Sequence, residues 1–341
     1  MNVKLKDIAD RTGFSINTVS RALREDSRIS EATRVTIRRI ANEMGYIPNV
    51  VAGSMRSNRS RTIGIISADS ANPFFAEVIQ GIEEKARKAN YSILLINTEE
   101  QAANERDAIR LLLGRQVDGL VIAPVYNDEE NLALYRELTI PYIFVGRYVD
   151  GMQDHSILHG DVEGQALAVD HLLRHGHRKI LYIAGPKNIS NTIDRLQGLT
   201  QAYHAHNLEI DESYILSSSG HMEDGYARVN QALNRGLSFT AVVCFNDLLA
   251  IGALKSLHEN SLSVPDDVEV FGFDNLAMSQ FMQPRLTTVE VPKNRLGQKA
   301  VEELVRHIED PAYPYTTVNM KPRLILREST LANHMDNNAT H

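Results

Sequence analysis

The sequence predicts two architectures in one chain: an N-terminal all-α helix-turn-helix unit, followed by an α/β core of two lobes, each a doubly wound parallel sheet. Three observations predict this. Two short helical stripes flank a glycine turn within the first 25 residues. From Thr62 short apolar runs alternate with helical patterns, and the alternation restarts at Ile180. The charge is also divided, because residues 1–62 hold 12 Lys/Arg against 6 Asp/Glu, whereas the remainder holds 24 against 37. A basic head on an acidic body suits phosphate binding by the head alone.

In the head, Leu5, Ile8 and Ala9 fall at helical spacing before Thr12-Gly13, where glycine permits a sharp turn. Ser15 is placed to cap a second helix, buried through Val19, Ala22 and Leu23. That leaves Ile16, Asn17, Ser20 and Arg21 facing outward near its start, the arrangement of a helix that reads the major groove. A third helix carries Arg34, Val35, Ile37, Arg38, Ile40 and Ala41. Residues 49–61 then form a linker with Val50, Val51, Ala52 and Met55, too short to be a stable helix alone and weakened by Gly53.

The core strands are Ile63–Ile66, Ile93–Ile96, Gly119–Ile122 and Tyr142–Val145 in the first lobe, each expected to be buried on both faces. Helical patterns near 75–89, 103–114 and 129–138 separate them, as right-handed βαβ units require. The second lobe carries Ile180–Ala184, Ala241–Phe245 and Val268–Gly272, followed by a late helix through Val301–Val305 and a last strand at Leu324–Leu326.

Ligands in such sheets bind beyond the carboxyl ends of the strands. There the sequence places Asn72, Phe74 and Phe75, Gly146-Arg147, Asp194-Arg195, Asn246-Asp247 and Asp274. Adjacent helical residues point about 100° apart, so one of the two phenylalanines is expected in the core. Carboxylates accept from hydroxyls, arginines donate through planar forks, and aromatic faces cover the apolar side of a ring. A sugar presents all of these features.

With 341 residues, 43% of them hydrophobic, the chain has material for more than one domain. No apolar run of about 18 residues and no signal sequence are read, so no membrane association and a cytoplasmic location are expected. The single Cys244 reads as a buried strand residue. His171, His175 and His177 read as surface caps at a helix end, not metal ligands. Nucleophile-elbow, Walker, dinucleotide-binding and zinc-protease motifs are absent, so no enzyme, catalytic residue, cofactor or metal is expected.

Asp7-Ile8-Ala9, Ser15 with Thr18-Val19-Ser20-Arg21, Glu31 with Arg34, and Gly45-Tyr46 with Pro48-Asn49 resemble the headpiece of the LacI/GalR family of bacterial transcription regulators. The match continues to about Ser329. The resemblance implies a periplasmic-binding-protein-like core and a repressor that binds a pseudopalindromic operator in double-stranded DNA as a homodimer, with nucleoid association when bound. It divides the chain into a headpiece (1–48), a hinge (49–61), a core (62–330) and a polar tail (331–341). The first lobe then comprises about 62–160 and 292–321, and the second about 161–291 and 322–330, with crossings near 160, 291 and 322.

Ile16, Asn17 and Arg21 are then expected at base edges, with Ser15, Thr18, Ser20, Arg24, Arg28 and Arg34 at phosphates. Asn49, Ala52 and Met55 fall at operator contacts of the hinge, Met55 where the family has a wedging leucine. Lys4 stands where the family often has a capping threonine. Asn72, Phe74, Phe75, Arg147, Arg195, Asn246 and Asp274 match effector positions, and Glu290 lies where another polar contact is expected. Gly146 departs from the family's usual aspartate. A sugar effector is expected; the alternatives are a purine-type corepressor, or a sugar-binding receptor without DNA function.

Overall fold

A computed structural model describes residues 3–47, 59–125, 128–187 and 189–331. The expected hinge contacts Asn49, Ala52 and Met55 and the tail beyond Leu331 lie outside these residues. The chain divides into two compact units, Met1–Ser60 and Arg61–His341.

In the first unit, α1 (Leu5–Thr12), α2 (Ile16–Leu23) and α3 (Glu31–Glu43) close on a core of Ile8, Ala9, Val19, Ala22, Ile37 and Ala41. Gly13 ends α1 at φ 73°, a left-handed conformation that glycine reaches without strain. Lys4 offers no side-chain acceptor, and the Asp7 carboxylate instead accepts from the Lys4 N–H at 2.8 Å. Ser15 caps α2 by accepting from the Thr18 N–H at 3.1 Å, and Ser30 caps α3 through Thr33 at 3.3 Å.

The second unit opens with β1 (Thr62–Ser67), α4 (Pro73–Lys88), β2 (Ser92–Asn97), α5 (Ala102–Gly114), β3 (Gly119–Ile122), α6 (Glu129–Glu137), β4 (Tyr142–Val145) and β5 (Ser156–Leu158). The chain then enters a second sheet through α7 (Asp161–Arg174), β6 (Ile180–Ala184), α8 (Ser190–Ala205), β7 (Ile215–Ser217), α9 (Met222–Asn234), β8 (Ala241–Cys244), α10 (Asp247–Glu259), β9 (Glu269–Asp274) and β10 (Thr287–Glu290). It returns with α11 (Lys293–Glu309) and β11 (Val318–Asn319), and ends in β12 (Arg323–Ile325). The sheet orders are β11-β5-β4-β3-β1-β2 and β12-β10-β9-β8-β6-β7. All pairings are parallel except β10 with β12. No βαβ crossover precedes β12, which comes straight from the other sheet, so nothing compels it to run parallel.

Burial departs from the sequence reading in two places. The strand β2 is not covered on both faces: as the last strand of its sheet it leaves Leu94 41% and Leu95 43% exposed. His171 is buried, with its ring edge-on to Phe271 and His175, so only His175 caps the helix, while His177 bonds Thr240 at 2.8 Å. Cys244 is fully buried in β8, and burial pushes its thiol pKa up.

Candidate functional site

The exposed start of α2 is the first site. Ile16 is 49% exposed and Asn17 is exposed beside it, while Arg21 is half-buried one turn on. Among the described residues neither Asn17 nor Arg21 makes a side-chain hydrogen bond, which leaves both available to a ligand. The cationic flank is differently occupied. Arg24 folds back onto the Ser20 carbonyl (3.0 Å) and hydroxyl (3.3 Å). Arg28 grips Asp26 through Nε (2.9 Å) and Nη2 (2.7 Å), and these bonds hold the Asp26 carboxyl far below its usual range. Arg34 donates to the Glu25 carbonyl at 3.3 Å. Exposed pairs of this kind contribute little to stability, so a phosphate can displace them.

The second site lies in the Arg61–His341 unit, where strand ends from both sheets converge. The free space inside it is only about 40 Å³, far below the roughly 300–1,000 Å³ typical of ligand pockets, so its walls lie close together. One wall begins with Asn72, whose side chain caps α4 by accepting from the Phe74 N–H at 3.0 Å. Phe74 and Phe75 are both buried, edge to face at 5.2 Å, and both line the cavity, so neither is set aside as core alone.

Arg147, just beyond β4, is buried and bidentate to Glu100, with Nη1 at 2.7 Å and Nη2 at 2.6 Å. Burial alone would push Glu100 up, but the charge and hydrogen bonds of Arg147 outweigh it and hold the carboxyl below its ordinary value. The guanidinium lies 5.5 Å over the Phe75 ring.

On α8, Arg195 is buried between the rings of Phe245 (4.3 Å) and Phe273 (3.6 Å). Its charge partner is Asp161 at 2.7 Å rather than its neighbour Asp194. Burial opposes ionisation of Asp161, yet the charges of His159 and Arg195 hold the carboxyl far below its usual range. Asp274 sits 3.7 Å from Arg195, which is already neutralised by Asp161, and burial therefore pushes its carboxyl up to about 8. That shift favours the neutral carboxyl, which can both donate and accept. Asn246 caps α10 through Leu249 (2.9 Å) and donates to the Gly220 carbonyl at 3.0 Å.

Glu290 is not brought to this cavity. It faces Arg323, its register partner on antiparallel β12, and accepts from that guanidinium and from Asn275 at 3.1 Å. Cross-strand neighbours meet before more distant groups can.

Sequence reasoning missed Glu100, His159, Asn191 and Phe245. The strand-end rule would have found His159, which directly follows β5, and Phe245, which directly follows β8. Asn191 donates to both the Gly146 carbonyl (2.8 Å) and Asp161 (2.9 Å), joining segments 30 to 45 residues apart. Nearby, Tyr148 donates to Asp194 at 2.8 Å, and burial pushes that carboxyl up to about 6. No cluster of His, Cys, Asp and Glu among the described residues is arranged to hold a metal ion, and no described helix is long and apolar enough to cross a membrane.

Residues 4–49 match the model "Bacterial regulatory proteins, lacI family", and residues 60–326 match "Periplasmic binding proteins and sugar binding domain of LacI family". The HTH-type transcriptional repressor PurR of Aliivibrio fischeri is 33% identical, covering 96% of this chain and 98% of that one. PurR of Photobacterium profundum is 31% identical, covering 95% and 98%. Among solved structures, the lac repressor dimer bound to operator and the anti-inducer ONPF is 27% identical, with a TM-score of 0.89 over 97% of this chain and 100% of that one. A transcriptional regulator CelR–cellobiose complex is 26% identical, with a TM-score of 0.74 over 96% and 100%.

Proposed function

The chain belongs to the lacI family of bacterial regulatory proteins, and from that premise we propose a homodimeric repressor, acting in the cytoplasm, whose operator affinity is set by a neutral sugar in the cleft. As a family member it is a DNA-binding transcriptional repressor under small-molecule control. In this reading residues 1–48 read DNA, 49–61 form the hinge, and 62–330 bind effector and dimerise, leaving 331–341 as a tail. The similarity over 97% of this chain to the solved lac repressor dimer supports self-association.

The observation that carries the effector reading is the state of charge in the cleft. Both arginines are neutralised by carboxylates of the protein itself, and burial favours the neutral form of Asp274. The remaining capacity is for a neutral molecule with several hydrogen-bonding groups and one apolar face. A planar purine base is the second reading, supported by the phenyl rings of Phe74, Phe75 and Phe245 and by the PurR relatives. Thermal shift with a panel of monosaccharides, disaccharides and purine bases separates them. A rise in Tm with one sugar is expected; a rise with purine bases alone would replace the sugar.

For DNA, selection from a random pool is expected to enrich a two-fold symmetric site, as a dimer requires. Arg21→Ala should weaken that site about 10-fold or more while relaxing preference at one base pair of each half-site, the loss expected when a guanine contact is removed. An unaltered site profile would remove Arg21 from base readout.

A further inference from the structure

We propose that Lys293 is a positioning residue that presents Asp274 to the effector and ties that strand end to α4 across the two lobes. The proposal rests on the cleft being the effector site. Asp274 and Asn275 have φ of 110° and 51°, two successive non-glycine residues in sparsely populated backbone. Such a turn persists only where its surroundings hold it. Lys293 does so from the first residue of α11: its buried ammonium donates to the Asp274 carbonyl at 2.6 Å and to the Asn275 carbonyl at 3.0 Å. The same ammonium stands 3.5 Å from Glu77 on α4.

Asn275 is held on its remaining sides as well. Its N–H donates to Thr288 (3.2 Å), its amide donates to Glu290 (3.1 Å), and it accepts from Arg327 (2.7 Å). Glu290, expected in the cleft, thus acts on it through Asn275. Those three bonds stay within the second lobe, whereas Lys293 carries the turn's hold across to α4 of the first.

The helices that receive the connection move as a pair. A Cβ placed on Gly81 would lie 1.9 Å from the Asn294 carbonyl oxygen, and one on Gly297 would lie 2.1 Å from that of Val78. With α4 and α11 in backbone contact, α4 cannot shift without α11. The first turn of α4 carries Phe74 and Phe75, so Lys293 links the cleft residue of one lobe to the cleft aromatics of the other. A ligand that moves Asp274 then moves both walls, which is the differential contact that coupling between sites needs.

Hydrogen–deuterium exchange on the full chain tests this, for wild type, Lys293→Met, Lys293→Arg and Glu77→Gln, each alone and with an equimolar mixture of D-glucose, D-galactose, D-ribose and D-fructose. In the free protein, Lys293→Met is expected to raise exchange about 10-fold both in the peptide containing Asn275 and Leu276 and in the first turn of α4. Lys293→Arg should restore protection of both, and Glu77→Gln should loosen α4 alone. Loosening at 275–276 with α4 unchanged would overturn the proposal, as would equal loosening of every peptide in the core. Because these comparisons need no ligand, absence of protection by the sugar mixture counts against the sugar reading and leaves the coupling decided. If Lys293→Met does not fold, loosening of 275–276 rather than α4 in Glu77→Gln overturns the proposal.

Discussion

Replacing Arg195 with methionine is expected to destabilise the core by about 3–5 kcal/mol, the cost typical of removing one member of a buried ion pair. The guanidinium supplies the charge opposite Asp161 at 2.7 Å, stands farther from Asp274 at 3.7 Å, and fills the space between Phe245 and Phe273. Methionine keeps most of the packing, so the loss isolates the orphaned carboxylate. Adding Asp161→Asn should recover more than half of it, because removing both charges leaves no uncompensated ion. Urea unfolding of the two single variants and the double variant measures the cycle. A cost below about 1 kcal/mol for Arg195→Met alone would mean that the pair is solvated and that the cleft is far more open than its burial implies.

Raising pH from 7 to 9 is expected to lower the stability of the core by about 1–2 kcal/mol, mostly through Asp274, since each tenfold change in proton affinity is worth about 1.4 kcal/mol. Its carboxyl is raised by burial to about 8 and that of Glu105 to about 7, both above their unfolded values. The folded state therefore holds protons that the unfolded state has released, and stability falls as pH rises through the folded values. The carboxyls of Asp161 and Glu100 are displaced the other way, so their contribution is complete above the unfolded value and is lost only in acid, outside this window. His155 and His307 are lowered, mainly by burial, and stay neutral in the folded state throughout. Asp274→Asn mimics the protonated acid and should remove most of the slope. A flat wild-type profile by denaturant unfolding at the two pH values would show Asp274 ionised, and the argument for a neutral effector would go with it.

Some of the site followed from position alone. Of the eight proposed effector residues, Asn72, Phe74, Phe75, Arg147, Arg195, Asn246 and Asp274 line the cavity, because each lies at or just beyond a strand end or in the helix that follows, and a parallel sheet brings such ends together. Glu290 was misplaced for an equally simple reason. It too ends a strand, but that strand is the one with an antiparallel neighbour, and Arg323 lies directly opposite. The exposure of β2 was hidden in the same way: Ile93-Leu94-Leu95-Ile96 is as apolar as the central strands, and only its place at the end of the sheet order leaves one side open.

The sequence therefore determined what depends on neighbours along the chain. The Ser15 cap, the glycine turn after α1, the stripes of α1 to α3 and the alternation of strand and helix all follow from residues within a few positions of one another. Tertiary structure alone decided the partners of the charges: Arg147 with Glu100, Arg195 with Asp161, Lys293 with the carbonyls of Asp274 and Asn275. These partners stand 47, 34 and 18 to 19 residues apart. No local spacing encodes such pairings, since they form where crossovers between two sheets bring strand ends and helix starts into one cleft, and burial there makes every unpaired charge costly.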